Sequence, residues 1–288
     1  MRILSFGGGV DSSAILLTHL MVEDLGIDQV VFADTGAESD GTYNNVALFQ
    51  QLCSNQNLPF TIVKHEKGSI TDWVLEAGNL PVMAGGKHIC SARFKGKVIA
   101  QWVKSSFSAE EKITYLIGIE ANEGARSERF QKPEDDTAEY EYPLIDRNMT
   151  RQDCLDLIAE YGLQIPKSSC VFCPFMSQEE ILEIRKDKDA WQTIKLVESG
   201  FRESSPKKHQ AWLDGGKQLI MLRPSGWKKG NGKVTPGKGK KGDHCRIGYK
   251  SPNGQWRQDS WADGMRLFQS ARVNGKMLSV EEWEQFVA

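Results

Sequence analysis

The chain has 288 residues, 40% of them hydrophobic and 26% charged, which is enough to bury a full α/β core and carry a modest second region. A formal net charge of −2 excludes a globally basic nucleic-acid binder, so any surface for a polyanion has to be local. No apolar run approaches the roughly 18 residues of a membrane span, and the expectation is a cytoplasmic chain without a membrane partner. In that reducing setting the six cysteines, Cys53, Cys90, Cys154, Cys170, Cys173 and Cys245, point to metal or redox chemistry where they cluster, and not to a disulfide framework.

Taken in order, residues 2–6 read as a strand, 7–10 as a loop and 11–21 as a helix with apolar Ile15, Leu16 and Leu20. A second strand over 29–33 ends in Asp34-Thr35-Gly36, a helix over 42–52 follows, and a third strand spans 60–63. The fourth strand, 114–119, precedes the polar segment 120–129. An extended stretch at 140–145 then leads into a helix over 151–161, N-capped by Thr150. This alternation predicts an α/β fold, an open parallel sheet with helices on both faces. After Pro166 come a cysteine-containing turn and helices near 178–186 and 190–197. The Gly- and Lys-rich stretch 226–242 has no acidic residue and reads as a mobile basic loop, while Trp256, Trp261, Phe268, Trp283 and Phe286 mark a small terminal subdomain. The expected division is 1–165 for nucleotide binding, 166–225 as a cysteine-containing helical extension and 226–288 as basic loop plus aromatic subdomain, the C-terminal appendage as a whole being α-rich.

Ser5-Phe6-Gly7-Gly8-Gly9-Val10-Asp11-Ser12-Ser13 joins the first strand to the first helix, where unpaired N–H groups and the helix dipole favour an anion. Glycines let the backbone wrap a phosphate, Ser12 and Ser13 add hydroxyl donors, and Asp11 caps the helix or orders the loop. No Walker-type lysine is present. The loop resembles the Ser-Gly-Gly-x-Asp-Ser signature of the PP-loop superfamily, with Gly7 where its first serine usually stands. Phe32-Ala33-Asp34-Thr35-Gly36-Ala37-Glu38 with Thr42-Tyr43 resembles a second signature, that of the phosphoadenosine phosphosulfate (PAPS) reductase family. The segment 118–129, with Glu123 and Arg126 but Glu120 where arginine is common, and Tyr142-Pro143-Leu144 are similar to two more. Ordered agreement over about residues 1–175 is more specific than any one motif. The resemblance implies ATP, or PAPS or adenosine phosphosulfate, held by Ser5, Gly7, Gly8, Gly9, Asp11, Ser12, Ser13, Asp34, Thr35 and Gly118, with magnesium on the phosphates. Arg126 and Arg129 either clamp an anionic substrate or pair with Glu123 and Glu128 at helical spacing.

Cys170-Val171-Phe172-Cys173-Pro174 spaces two thiolates for one metal, and Cys90, within His88-Ile89-Cys90-Ser91-Ala92-Arg93-Phe94-Lys95, is the third candidate ligand. The metal is an iron–sulfur cluster with an open iron or, alternatively, zinc completed by His88, His244 or Cys245. Cys53 and Cys154 read as buried small hydrophobes. Lys95 and Arg93 either lower a thiol pKa or contact phosphate.

The adjacent cysteines and the C-terminal Glu-Cys-Gly-x-His segment of sulfonucleotide reductases are not intact here; Asp243-His244-Cys245-Arg246 only echoes the second. The pattern is closer to the thiolation branch of the superfamily. It implies adenylylation-coupled sulfur transfer, with Asp11, Arg126 and Cys245 as catalytic residues and a nucleic acid approaching the segment from Lys228 to Lys250, where Trp227 and Tyr249 can stack on bases. The sequence identifies neither a sulfur nor an electron donor. The alternatives are a thiol-dependent PAPS or adenosine phosphosulfate reductase and a noncatalytic nucleotide- or nucleic-acid-binding module.

Overall fold

A computed structural model describes residues 1–81, 89–128 and 136–204 in full, with the backbone of the helix and strands named below between 205 and 258, and then 267–268, 270–273 and 276–287. By its contacts the chain forms two compact units, Met1–Ile70 with His88–Val171, and Thr71–Lys87 with Phe172–Ala288.

The first unit is built on five strands, β1 (Arg2–Phe6), β2 (Gln29–Asp34), β3 (Phe60–Lys64), β4 (Thr114–Ile117) and β5 (Glu139–Glu141). They pair in the order β3-β2-β1-β4-β5, and every pairing is parallel. Helices α1 (Val10–Met21) and α2 (Asp40–Asn55) follow β1 and β2. After α3 (Ile70–Ala77), a π-helical turn (Cys90–Gly96) runs into α4 (Lys97–Ser106) before β4.

Side chains alternate along the central strands, as a sheet covered on both faces requires. Leu4, Phe6, Val30, Phe32 and Leu116 pack on Ala14, Ile15 and Leu16 of α1 and on Val46 and Phe49 of α2. The intervening Ile3, Val31, Ala33 and Tyr115 pack on Val98, Ile99 and Val103 of α4. Phe6 anchors the first layer, its ring 5.3 Å from that of Phe49 and 5.6 Å, edge-on, from that of Phe60. Cys53 and Cys154 are fully buried in this layer, where desolvation pushes both thiols up to about 12, so they serve as small apolar residues as expected.

Past β4 the chain makes the short α5 (Gly124–Glu128) and then β5. The stretch 140–145, expected to be extended throughout, divides: Pro143–Asp146 forms a helical turn, α6, with proline at its start, where the ring presets φ and no N–H is missed. Then α7 (Arg151–Glu160) opens on Thr150, as predicted, with a complete capping box: the Asp153 N–H donates to the Thr150 hydroxyl at 3.3 Å and the Thr150 N–H to the Asp153 carboxylate at 2.7 Å.

In the second unit α8 (Gln178–Ile184) is followed by α9, which spans Lys188–Asp214. This helix runs far beyond the expected 190–197 because it continues through Gly200 and Pro206, residues that ordinarily argue for a stop. The α-rich appendage expected at the C-terminus needs correction. Strands β6 (Gln218–Met221), β7 (Lys228–Gly230), β8 (Lys233–Thr235), β9 (Ile247–Lys250), β10 (Trp256–Gln258), β11 (Arg272–Val273) and β12 (Lys276–Met277) precede the closing helix α10 (Val280–Phe286). Two of them, β7 and β8, form an antiparallel hairpin inside the segment read as one basic loop. Alternate residues of such short strands leave no apolar run long enough to register in the sequence. The buried Glu198 of α9 holds the end of the chain, accepting the N–H groups of Leu267 at 3.0 Å and Val280 at 3.1 Å.

No helix among the described residues is long and apolar enough to cross a membrane. Replacing Thr150 with Ala removes the α7 cap and is expected to lower stability by about 1 kcal/mol, read as a lower urea midpoint with an unchanged slope.

Candidate functional site

In the order β3-β2-β1-β4-β5 the chain steps outward from β1 to β3 and then returns to the other side of β1, so the direction of winding reverses between β1 and β4. A crevice opens beyond the carboxyl ends of the strands at such a reversal. Here those ends are the loop 7–9 and Gly118.

The loop is ordered by its own residues and by α2. The Ser12 hydroxyl accepts the Gly7 N–H at 3.1 Å and donates to the Gly9 carbonyl at 3.2 Å, while Asn45 Nδ2 donates to the Gly8 carbonyl at 3.0 Å. Gly8 takes φ +71°, open to glycine at little cost. Gly9 is the N-cap of α1 and provides no side-chain cap, so the first N–H groups of the helix have no capping partner although Val10, Asp11 and Ser12 are buried. On the other side of the crevice Gly118 is in close approach: a Cβ there would lie 2.8 Å from the Ser12 nitrogen and 3.1 Å from Asp11 Cβ.

Asp11 neither caps α1 nor bonds to the loop. Its Oδ1 lies 2.9 Å from Nη1 of Arg151, the first residue of α7. Burial raises the Asp11 carboxyl above its ordinary value, with Glu123 and Glu120 adding to the rise, and Arg151 and Arg126 offset this only in part. Ser13 is wholly buried, its hydroxyl without a hydrogen-bond partner among the described residues.

Asp34 and Thr35 face inward. Burial favours protonation of Asp34, but the Gly36 N–H at 2.8 Å, the Tyr43 hydroxyl at 2.8 Å and the Lys64 ammonium at 3.1 Å together hold its carboxyl below the usual range. The Thr35 hydroxyl donates to Glu38 at 3.0 Å. Arg126 is paired with Glu123 at 3.0 Å and is well exposed, the solvated helical pair weighed as its alternative role. Ser5 lies within β1, in register with Val31 and Ile117.

No family model matches the chain, and no curated protein matches it in sequence.

The cysteine segment lies alongside this turn. Glu38 and Cys170 form an antiparallel bridge, Ser39 N–H donates to the Ser169 carbonyl and Val171 N–H to the Ala37 carbonyl, each at 2.9 Å. Ser168 closes over the loop, its Oγ 2.5 Å from the place a Cβ on Gly9 would take. From the opposite side the π-helical turn brings Lys95 to within 2.9 Å of the buried Glu38. Burial works against the Lys95 charge, but Glu38, and beyond it the Cys90 and Cys170 thiols, outweigh it and raise the ammonium's pKa. One cation therefore lies in the electrostatic field of both thiols.

Among the described residues no three His, Cys, Asp or Glu side chains are gathered as a metal-holding group. Cys173 is described and partly exposed, at the start of the second unit. Cys245, His88, His244, Arg129 and the segment 236–246 lie outside the described residues.

Sequence reasoning missed Arg151, Asn45 and Ser168. Arg151 was visible only as a helix start, and nothing local marks an asparagine in mid-helix or a serine after a proline as a loop contact. Replacing Gly118 with Ala drives a methyl into the Ser12 amide, backbone against backbone. The expected result is a stability loss of about 1–3 kcal/mol, checked by thermal melting.

Proposed function

We propose that residues 5–13 hold the phosphates of an adenine nucleotide and that the chain is a PAPS reductase-like PP-loop enzyme performing ATP-dependent, adenylylation-coupled sulfur transfer. The observation that carries the reading is an uncapped, buried helix start at the reversal point of a parallel sheet, with Ser169 and Val171, on either side of Cys170, hydrogen-bonded through their backbone to the adjoining turn. Buried N–H groups without partners are costly unless an anion or water meets them. The site pairs an anion-receiving loop with sulfur chemistry a few residues away, a combination that neither a plain NTPase nor a plain thiol enzyme requires.

In this reading the backbone of the loop and the Ser12 side chain position the triphosphate. An acceptor oxygen attacks the α-phosphorus, forming an O–P bond as the bond to the bridging oxygen breaks and pyrophosphate departs. A sulfur nucleophile then displaces the adenylylated oxygen and AMP leaves. Magnesium, brought with the nucleotide, would supply charge neutralisation for the departing pyrophosphate. Cys90 and Cys170, sharing Lys95, together with Cys173 are the proposed metal ligands, and an iron–sulfur cluster bound there supplies sulfur-transfer or redox capacity. Nucleic acid is the proposed acceptor class, supported by the lysines between Lys228 and Lys250.

Protein prepared without oxygen is expected to release pyrophosphate from ATP when given a sulfur source and RNA or DNA; sulfite formed from PAPS or adenosine phosphosulfate without ATP consumption would instead assign a reductase. Turnover of neither, with nucleotide still bound, would assign a binding module. The same preparation is expected to contain iron, and Cys170→Ser to lose most of it by elemental analysis; zinc or no metal in the parent protein contradicts the cluster.

A further inference from the structure

Arg151 opens α7, and its side chain reaches the buried Asp11 of α1. The pair is uneven, since the Asp11 side chain is 11% exposed and that of Arg151 45%. It is also misaligned. Despite the 2.9 Å approach, Asp11 Oδ1 has no hydrogen-bond partner among the described residues, so no guanidinium N–H points along the contact. A guanidinium carries five donors in one plane, and here none is directed at Asp11; the Arg151 side chain makes no hydrogen bond to any other described residue. The charge is anchored while its donors are open.

Its place in the fold says what those donors meet. The amino ends of α1, of 12 residues, and α7, of 10 residues, come together at this pair, and only α7 has a side-chain cap. Residues 5–13 contain no lysine or arginine. Left alone, the Asp11 carboxylate would repel a phosphate bound on the same helix start. Of the other charges in its field, Glu120 and Glu123 add to that repulsion and Arg126, already paired with Glu123, offsets little of it.

We propose that Arg151 is the cation of this phosphate site: its guanidinium binds the β- and γ-phosphate oxygens of a nucleoside triphosphate and so selects the polyphosphate tail over a monophosphate. The inference rests on the nucleotide reading above and names the residue that discriminates within it. Arg151 offsets part of the Asp11 charge in the unliganded protein, and its planar fork matches paired phosphate oxygens. Because it is half-exposed while Val10, Asp11 and Ser12 at the start of α1 are buried, it reaches the outer and more highly charged end of the ligand.

The test is calorimetric titration of the full chain with AMP, ADP and ATP, each with magnesium and again in EDTA, for the parent protein, Arg151→Gln and Arg151→Lys. Arg151→Gln is expected to weaken ATP about 10- to 100-fold, in EDTA as well as with magnesium, and to leave AMP within about twofold. Arg151→Lys keeps a charge opposite Asp11 and carries the test if the glutamine variant melts early; without the fork it recovers ATP affinity only in part. Unchanged ATP affinity in both variants, equal weakening of AMP and ATP, or a loss confined to the magnesium series overturns the assignment to Arg151 while the nucleotide reading stands. A parent protein that binds none of the three nucleotides overturns both.

Discussion

The backbone of Gly118 lies so close to the Ser12 amide that no side chain fits between them, and the geometry of the crevice depends on that approach. It is a contact between the end of β4 and the start of α1, and the pairing of β4 against β1 brings it about, with Ser5 opposite Ile117. From it follow the position of Asp11, the reach of Arg151 across from α7 and the proximity of Glu120 and Glu123. A wider gap would leave the first N–H groups of α1 facing water, where an anion gains little over solvent.

A second constraint is electrostatic. Glu38 is 4% exposed, and a carboxylate so buried is tolerated only when paired and hydrogen-bonded. Lys95 and the Thr35 hydroxyl meet that demand together. The π-helical turn matters here, because its i to i+5 spacing differs from that of an α-helix and places Cys90 and Lys95 in one another's field. The side chains of the turn after β2 are thus committed to holding the turn and the cysteines in relation to one another, which is why Asp34 and Thr35 are internal struts.

The parallel sheet was legible because Ile3, Leu4, Val30, Val31 and Phe32 form apolar runs between helix-length segments, and the turn into α1 because three successive glycines follow the first strand. The Thr150 cap was legible for a similar reason, its partner Asp153 lying three residues on. What stayed hidden is non-local. Arg151 and Asp11 are 140 positions apart, and no pattern in either neighbourhood indicates the other. The run of α9 through Gly200 and Pro206 passes two residues that ordinarily end a helix, and the hairpin at 228–235 shows strands too short to announce themselves. Arg126, singled out by motif, pairs at the surface with Glu123 three residues before it, a contact that helical spacing alone makes possible.

The segment carrying Cys170 is fastened to residues 37–39 through main-chain hydrogen bonds, Ser39 to Ser169 and Ala37 to Val171. Such a fastening is indifferent to side-chain identity and intolerant of changes in chain length. Substitutions along either stretch can drift while the thiol stays in step with the turn, whereas one inserted or deleted residue would rotate the sulfur to the opposite side of its strand. The arithmetic of spacing, more than the choice of amino acids, is therefore what this part of the molecule has to preserve.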